Sequence, residues 1–314
     1  MNGFRIPVGD WVNTLVDFVT LHFGGFFDVI RAIFGGFYNA LDFALATPPF
    51  WVILIVLVAL SVFAKGWVFG AGAALGLLLI AGLNQWTNAM DTLALTLVAA
   101  VIAVVISIPV GIWAARSNTV SSIIKPVLDF LQTMPAFVYL IPAIILFGIG
   151  VVPGIVATIA FAIAPGVRFT ELGIRGVDSE VIEAGHAFGA SPGRILRQIQ
   201  LPLARPTIMA GINQVIMLSL SMVVISSMVG AAGLGVDIVQ ALSRIDVGLG
   251  AEAGLSVVIL AILLDRLTAS LGGSRPGRKR LVFRNSAPKK STVGQPVEHT
   301  PSSAEATPAV PSAA

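Results

Sequence analysis

Residues 183–202 read EAGHAFGASPGRILRQIQLP and lie between two long apolar runs. A glutamate, two arginines and two prolines stand here, within a wider run of charged residues from Arg168 to Arg205. Composition says what kind of molecule surrounds them. Of 314 residues, 56% are hydrophobic and only 11% are charged, against about 25% charged in a soluble domain. The chain therefore reads as an all-α polytopic membrane protein, and 183–202 as part of a loop outside the bilayer.

A spanning helix needs about 20 largely apolar residues. Seven stretches approach this: 49–64, 67–83, 91–114, 127–149, 152–170, 203–229 and 250–271. The first two flank Lys65-Gly66 and form a candidate hairpin. "SNTVSSIIKP" (117–126) reads as a connecting loop, and "GIGVVPG" (148–154) as a turn. Residues 10–46 are apolar but broken by Asp10, Asp17, Asp28, Arg31, Asn39 and Asp42. Trp11, Leu15, Phe18, His22, Phe26, Ile30, Phe34, Phe37 and Leu41 recur there at helical steps. This suits one or two amphipathic helices at the interface, hinged at Gly24-Gly25 and Gly35-Gly36. "MNGFRIPVGD" has one basic residue and no apolar run directly after it, unlike a cleaved leader.

Four segments follow: N-terminal amphipathic helices (1–48), an accessory hairpin (49–84), the main bundle (85–272) and a tail (273–314). The tail holds seven of the 19 basic residues and is too polar to bury a core, so disorder is expected there. Positive charge marks cytoplasmic loops. Arg116 and Lys125, the cluster Arg168, Arg175, Arg194, Arg197 and Arg205, and the tail all fall on one side. Seven spans then put the C-terminus in the cytoplasm and the N-terminus outside.

The loop from Arg175 to Pro202 is long for a compact bundle, and such loops carry function or are disordered. This one has helix punctuation. Asp178 or Ser179 caps a first short helix and Gly189 stops it. Ser191 caps a second short helix with Pro192 at its first position. Two short helices with a glycine elbow are expected across the cytoplasmic face.

Glu183, Ala184, Gly185, Gly189, Ile199, Leu201 and Pro202 carry a resemblance. They fit the pattern E-A-A-x3-G-x9-I-x-L-P of permease subunits in binding-protein-dependent ABC importers, departing only at Gly185. Residues 131–150 and 233–272 resemble the permease of glycine betaine/proline betaine importers, and the likeness extends over about 85–272. The resemblance implies a type I importer bundle whose loop docks into a separate ATPase subunit. ATP would be bound there and not on this chain, which would need no cofactor. A substrate-binding protein and a second copy of this chain, as a homodimer, complete the implied assembly in a bacterial inner membrane. Small residues at Ala184, Gly185 and Gly189 would let the ATPase approach closely.

Catalytic chemistry is lacking. No GxxxxGK[ST] occurs, cysteine is absent, and His22, His186 and His299 lie far apart, which argues against a metal centre. A net charge of +3 is no nucleic-acid signature. Polar groups facing a bundle interior mark a pathway. Gln132, Tyr139, Asn213, Gln214 and Ser221 are the candidates, with Phe130, Phe137, Tyr139 and Phe147 as aromatic faces for a quaternary ammonium. Hydrogen-bond glue between helices is the plainer role for each polar group. "GAGAALG" (70–76), "GAAGLG" (230–235) and "GLGAEAG" (248–254) suggest close helix packing and a permease–permease interface. Asp129, Arg168, Glu171, Asp265 and Arg266 suggest ion pairs within or between helices, or, as a sharper alternative, a proton relay. Other functions stay open: an ABC permease for choline, carnitine or a polar amino acid, or an ion-coupled secondary transporter. A channel would need a ring of charge, and none is visible.

Overall fold

The computed structural model describes residues 7–272. The expected disordered tail, 273–314, lies outside them. Among the described residues every regular element is helical.

Helix α1 (Val8–Ala46) runs 39 residues without a break. The expected hinges at Gly24-Gly25 and Gly35-Gly36 are not there. A glycine inside a helix costs about 0.5–1 kcal/mol, too little to stop a helix rich in Phe, Ile and Leu. Gly35 instead permits contact: a Cβ there would lie 3.6 Å from Val152 Cγ2. Phe34, Tyr38, Leu41 and Leu45 join the main core. Phe27 meets Phe147 edge-on, with centroids 5.5 Å apart.

Helices α2 (Phe50–Lys65) and α3 (Trp67–Gly82) form the expected hairpin, turning at Gly66 with φ +90°. Each has 16 residues, so each is about 24 Å long at 1.5 Å per residue. That is shorter than a hydrocarbon core of about 30 Å, so neither helix reaches the length of a full span. Five helices are long and apolar enough to cross a membrane, or six if one bent pair counts as a span. Seven apolar stretches in the sequence thus correspond to five or six helices of spanning length, and α1, expected at the interface, also meets that length and composition.

Helix α4 (Trp86–Arg116) is followed at once by α5 (Asn118–Thr133). Residues 117–126 are therefore a helix and not the loop expected. Ser117 supplies the cap, its Oγ accepting from the Val120 N–H at 3.4 Å. Residues 127–149 are not one straight span either. A 3₁₀ turn, Ala136–Tyr139, leads into α6 (Leu140–Phe147), and the two halves are bent by 109°. Pro135 explains the break: a proline drives the residue before it out of the helical region, and Met134 is extended, with ψ 136°. Gly148 and Gly150, at φ +76° and +142°, turn the chain into α7 (Val151–Arg175).

Helices α4, α7 and α10 (Leu201–Ser226) form the centre. Lipid tails are as apolar as leucine, so helices in a membrane associate through close packing. Glycines allow it here. A Cβ on Gly111 would stand 2.6 Å from Thr170 Cβ, and one on Gly211 would stand 2.6 Å from Phe169 Cβ. Gly166 meets Ser107 in the same way. These positions lie outside the three glycine-rich stretches that the sequence singled out. Between the stretches 203–229 and 250–271 stands α11 (Leu234–Arg244). Its first turn is pinned to α4: the Leu234 N–H donates to Thr92 Oγ1 at 2.8 Å, and Asn88 Nδ2 donates to Asp237 Oδ2 at 2.6 Å. Helix α12 (Val247–Gly272) closes the bundle against α10, α2 and α3.

Candidate functional site: the 176–202 segment and the polar face of α10

Three residues, Gly176 to Asp178, separate α7 from α8 (Ser179–Ala187). Asp178 is the cap; its Oδ1 accepts from the Glu180 N–H at 2.9 Å. The helix ends in a Schellman turn. The Gly189 N–H donates to His186 O at 2.8 Å and the Ala190 N–H to Gly185 O at 3.1 Å. Gly189 sits at φ +75°, where a side chain would be strained, so the motif favours glycine.

The two faces of α8 differ. Gly185 is buried, and a Cβ on it would come within 2.8 Å of Ile199 Cδ1. Its smallness serves the chain's own packing against Ile199. Glu183 and Ala184 face outward, and Phe188 is 92% exposed. An aromatic ring standing clear of its own fold was not singled out in the sequence, although its place just before the stop glycine was visible.

After Ser191 comes a short α9 (Pro192–Ile195), but it is not a separate helix. A π turn, Leu196–Gln200, joins it to α10, and one helical path runs from Pro192 to Val229. The expected second short helix is thus the first part of a long one. Pro202 lacks the N–H that α-helical bonding would use. The wider turn resets the pattern just before it, with the Leu201 N–H bonding Leu196 O. Leu201 is half-buried and Pro202 exposed. Beside this junction Arg116, Arg194 and Arg197 line a recess of about 520 Å³ that no acidic side chain borders. The segment therefore offers carboxylates on α8 and, close by, guanidinium groups with no ion-pair partner among the described residues.

The pathway candidates divide. Gln132, on the last turn of α5, is exposed, as are Gln214 and Ser221 on one face of α10. Leu131 and Met134 pack with Met222 and Val229, so Gln132 and Ser221 each lie one residue from the same contact. Tyr139 and Asn213 are not on that surface. Tyr139 is buried beside Phe161, and its hydroxyl donates to Leu131 O, bracing the bend. Asn213 joins α10 to α12: its Nδ2 donates to Asp265 Oδ1 at 3.0 Å, and its Oδ1 accepts from Thr268 Oγ1 at 2.6 Å. Of the aromatic candidates, Phe130 and Phe137 are exposed, while Phe147 is buried against Phe27. Among the described residues no group of acidic or histidine side chains could hold a metal ion.

A family model for the binding-protein-dependent transport system inner membrane component matches residues 107–272. Glycine betaine/carnitine transport permease protein GbuB of Listeria monocytogenes is 51% identical over 84% of this chain and 94% of that protein. Glycine betaine transport system permease protein OpuAB of Bacillus subtilis is 46% identical over 87% and 97%. Glycine betaine/proline betaine transport system permease protein ProW of Escherichia coli is 46% identical over 88% and 77%. Among solved structures, the inward-facing MetNI methionine ABC transporter matches with a TM-score of 0.53 at 24% identity, over 59% of this chain and 93% of that one.

Proposed function

Since this chain belongs to the family of binding-protein-dependent transport system inner membrane components, we propose that it is the permease of an ATP-driven importer of glycine betaine, proline betaine and similar quaternary amines. The observation that carries the cargo is near-full-length similarity to permeases named for glycine betaine. The exposed faces of Phe130 and Phe137 suit a quaternary ammonium, which is drawn to aromatic rings. Gln132, Gln214 and Ser221 supply polar contacts for the carboxylate. Carnitine is the second reading, because one relative's name includes it.

The outer face of α8 docks into a cleft of the ATPase subunit. Phe188 is the apolar anchor, Ala184 permits close approach, and Glu183 bonds to basic or polar groups. Gly189 holds the elbow, while Gly185, Ile199, Leu201 and Pro202 tie α8 to the root of α10. Arg116, Arg194 and Arg197 complement acidic groups of that subunit. ATP is bound and hydrolysed there. A binding protein delivers cargo from the other side, and two copies of this chain enclose the path about a two-fold axis.

The loop 176–192 and the tail face the cytoplasm. The α2–α3 hairpin returns the chain to its starting side, so α1 lying along the membrane leaves the N-terminus outside.

The test is uptake of labelled glycine betaine into proteoliposomes holding this chain, its ATPase and its binding protein. Uptake should need internal ATP, fall in Glu183→Ala, and be competed more strongly by proline betaine than by choline or a polar amino acid. Uptake driven by an ion gradient without ATP would overturn the assignment.

A further inference from the structure

Helices α5 and α7 are joined by a ladder of polar pairs that α8 docking alone does not explain. At its foot, Arg175 Nη1 donates to Asn118 Oδ1 at 2.8 Å. One turn on, Glu171 Oε1 accepts from Ser121 Oγ at 2.7 Å and lies 3.7 Å from Lys125 Nζ. At the top Arg168 pairs with Asp129. Residue numbers rise along α5 as they fall along α7, so the two helices run antiparallel. Glu171 is only 6% exposed. Arg175 holds it from its own helix at 3.0 Å and also reaches Ala114 O at 2.9 Å.

The remainder of the α5 seat is thin. Leu128 and Ile124 pack against Val110, Ala164 and Val167, and Leu131 joins the cluster around Ala157 and Met222, while Ile123, Val127 and Phe130 on the same helix are exposed. A cavity of about 380 Å³ opens beside Lys125, Asp129, Arg168, Glu171, Leu172 and Arg175. The glycine crossings of α4, α7 and α10 leave no such room. Of the helices packed on α7, α5 is held largely by these polar pairs, with fewer buried side chains than the α4 and α10 crossings.

The order of charges decides how it can move. A slip of one turn either way would set Lys125 opposite Arg168, or Asp129 opposite Glu171. Both are like-charge contacts, which suppress wrong registers. The seam is therefore either engaged in this register or open, which makes it a two-state element of the kind conformational coupling requires.

We infer that the α5–α7 ladder, with Glu171 as its positioning residue, carries movement of α8 to the transport pathway. Arg175 ends α7, separated by three residues from the start of α8, and Glu171 stands one turn earlier. The far end of α5 bears Gln132 and the bend at Met134-Pro135. Displacement of α8 loads the foot of the ladder, and its release moves α5 away from α7 and changes access to Gln132. The inference rests on α8 being the ATPase-docking element.

The chain has no cysteine, so Gln132→Cys introduces a single thiol. The experiment measures its modification by a membrane-impermeant maleimide in the full complex, with and without ATP plus vanadate. The parent rate should change several-fold on nucleotide trapping. Glu171→Gln, Asp129→Arg and Arg168→Asp should each lose that response while retaining the ATPase subunit on purification. The exchanged pair Asp129→Arg/Arg168→Asp should regain it. A purely stabilising ladder would lower the yield of complex but leave the response of the surviving complex unchanged, and that result overturns the inference. So does a parent chain whose thiol ignores ATP. A parent that fails to bind the ATPase removes the reading of α8 and this inference with it. Absent betaine uptake by the unsubstituted chain, with an intact thiol response in Gln132→Cys, removes only the cargo.

Discussion

Gly185 on α8 lies directly against Ile199 in the π turn, so close that a Cβ on the glycine would stand 2.8 Å from Ile199 Cδ1. Through this contact the short α8 is seated on the root of the long helix through α10. The contact atom is the far end of a flexible side chain, so it can yield a little. Gly185→Ala should therefore be tolerated, with thermal stability within about 1 kcal/mol of the parent. Gly185→Val overfills the site and should cost about 1–3 kcal/mol. It should also release the ATPase, read as loss of co-purification.

Phe188 stands 92% exposed on the same element. As a docking anchor it should cost little to remove from the isolated chain and much from the complex. Phe188→Ala should leave the melting temperature of the chain unchanged. It should weaken ATPase binding by about 2–4 kcal/mol, the range of an interface hot spot, measured by titration in detergent. Unchanged affinity would exclude Phe188 from the interface.

Asn213 and Gln214 are neighbours in sequence with opposite roles in the fold. Asn213 bonds Asp265 and Thr268 on α12, whereas Gln214 is exposed. Asn213→Ala leaves partly buried partners unsatisfied and should cost about 1–3 kcal/mol, with the KM for cargo little changed. Gln214→Ala and Ser221→Ala should stay within about 0.5 kcal/mol in stability and change uptake kinetics instead. Thermal unfolding and concentration-dependent uptake separate the two classes.

Gly166 faces Ser107 at the α4–α7 crossing, whereas a Cβ on Gly72 would meet nothing within 4 Å. Gly166→Ala must push the helices apart and should cost about 1–3 kcal/mol, seen as lost folded yield. Gly72→Ala should be neutral or stabilise by up to about 1 kcal/mol, as expected for a helix glycine without a packing role.

Much of this was legible in the chain. Composition alone marked a membrane bundle, because 11% charge cannot solvate a protein of this size. Asp178, Gly189 and Pro192 located the cap, the elbow and the start of the next helix, whose N-cap residue Ser191 makes no side-chain bond, since caps and turns are chemistry between near neighbours. Asn118–Pro126 was misread because the cap at Ser117 is weak in sequence and Pro126 argues against a helix that packing nevertheless completes. The seven apolar stretches outnumber the five or six helices of spanning length because α2 and α3 are apolar but only 16 residues each.

What tertiary structure alone decided is direction. Sequence could say that Gly185 is small, that Tyr139 and Asn213 are polar and that Arg168 and Glu171 are charged. It could not say that Gly185 turns inward to Ile199, that Tyr139 braces its own bend, or that Arg168 and Glu171 meet Asp129, Ser121 and Lys125 across 39 to 50 positions. Caps, breaks and apolar runs depend on residues a few places apart, so one dimension holds them. The face a side chain presents depends on which helix packs beside it, and that is settled only when α4, α5, α7 and α10 come together.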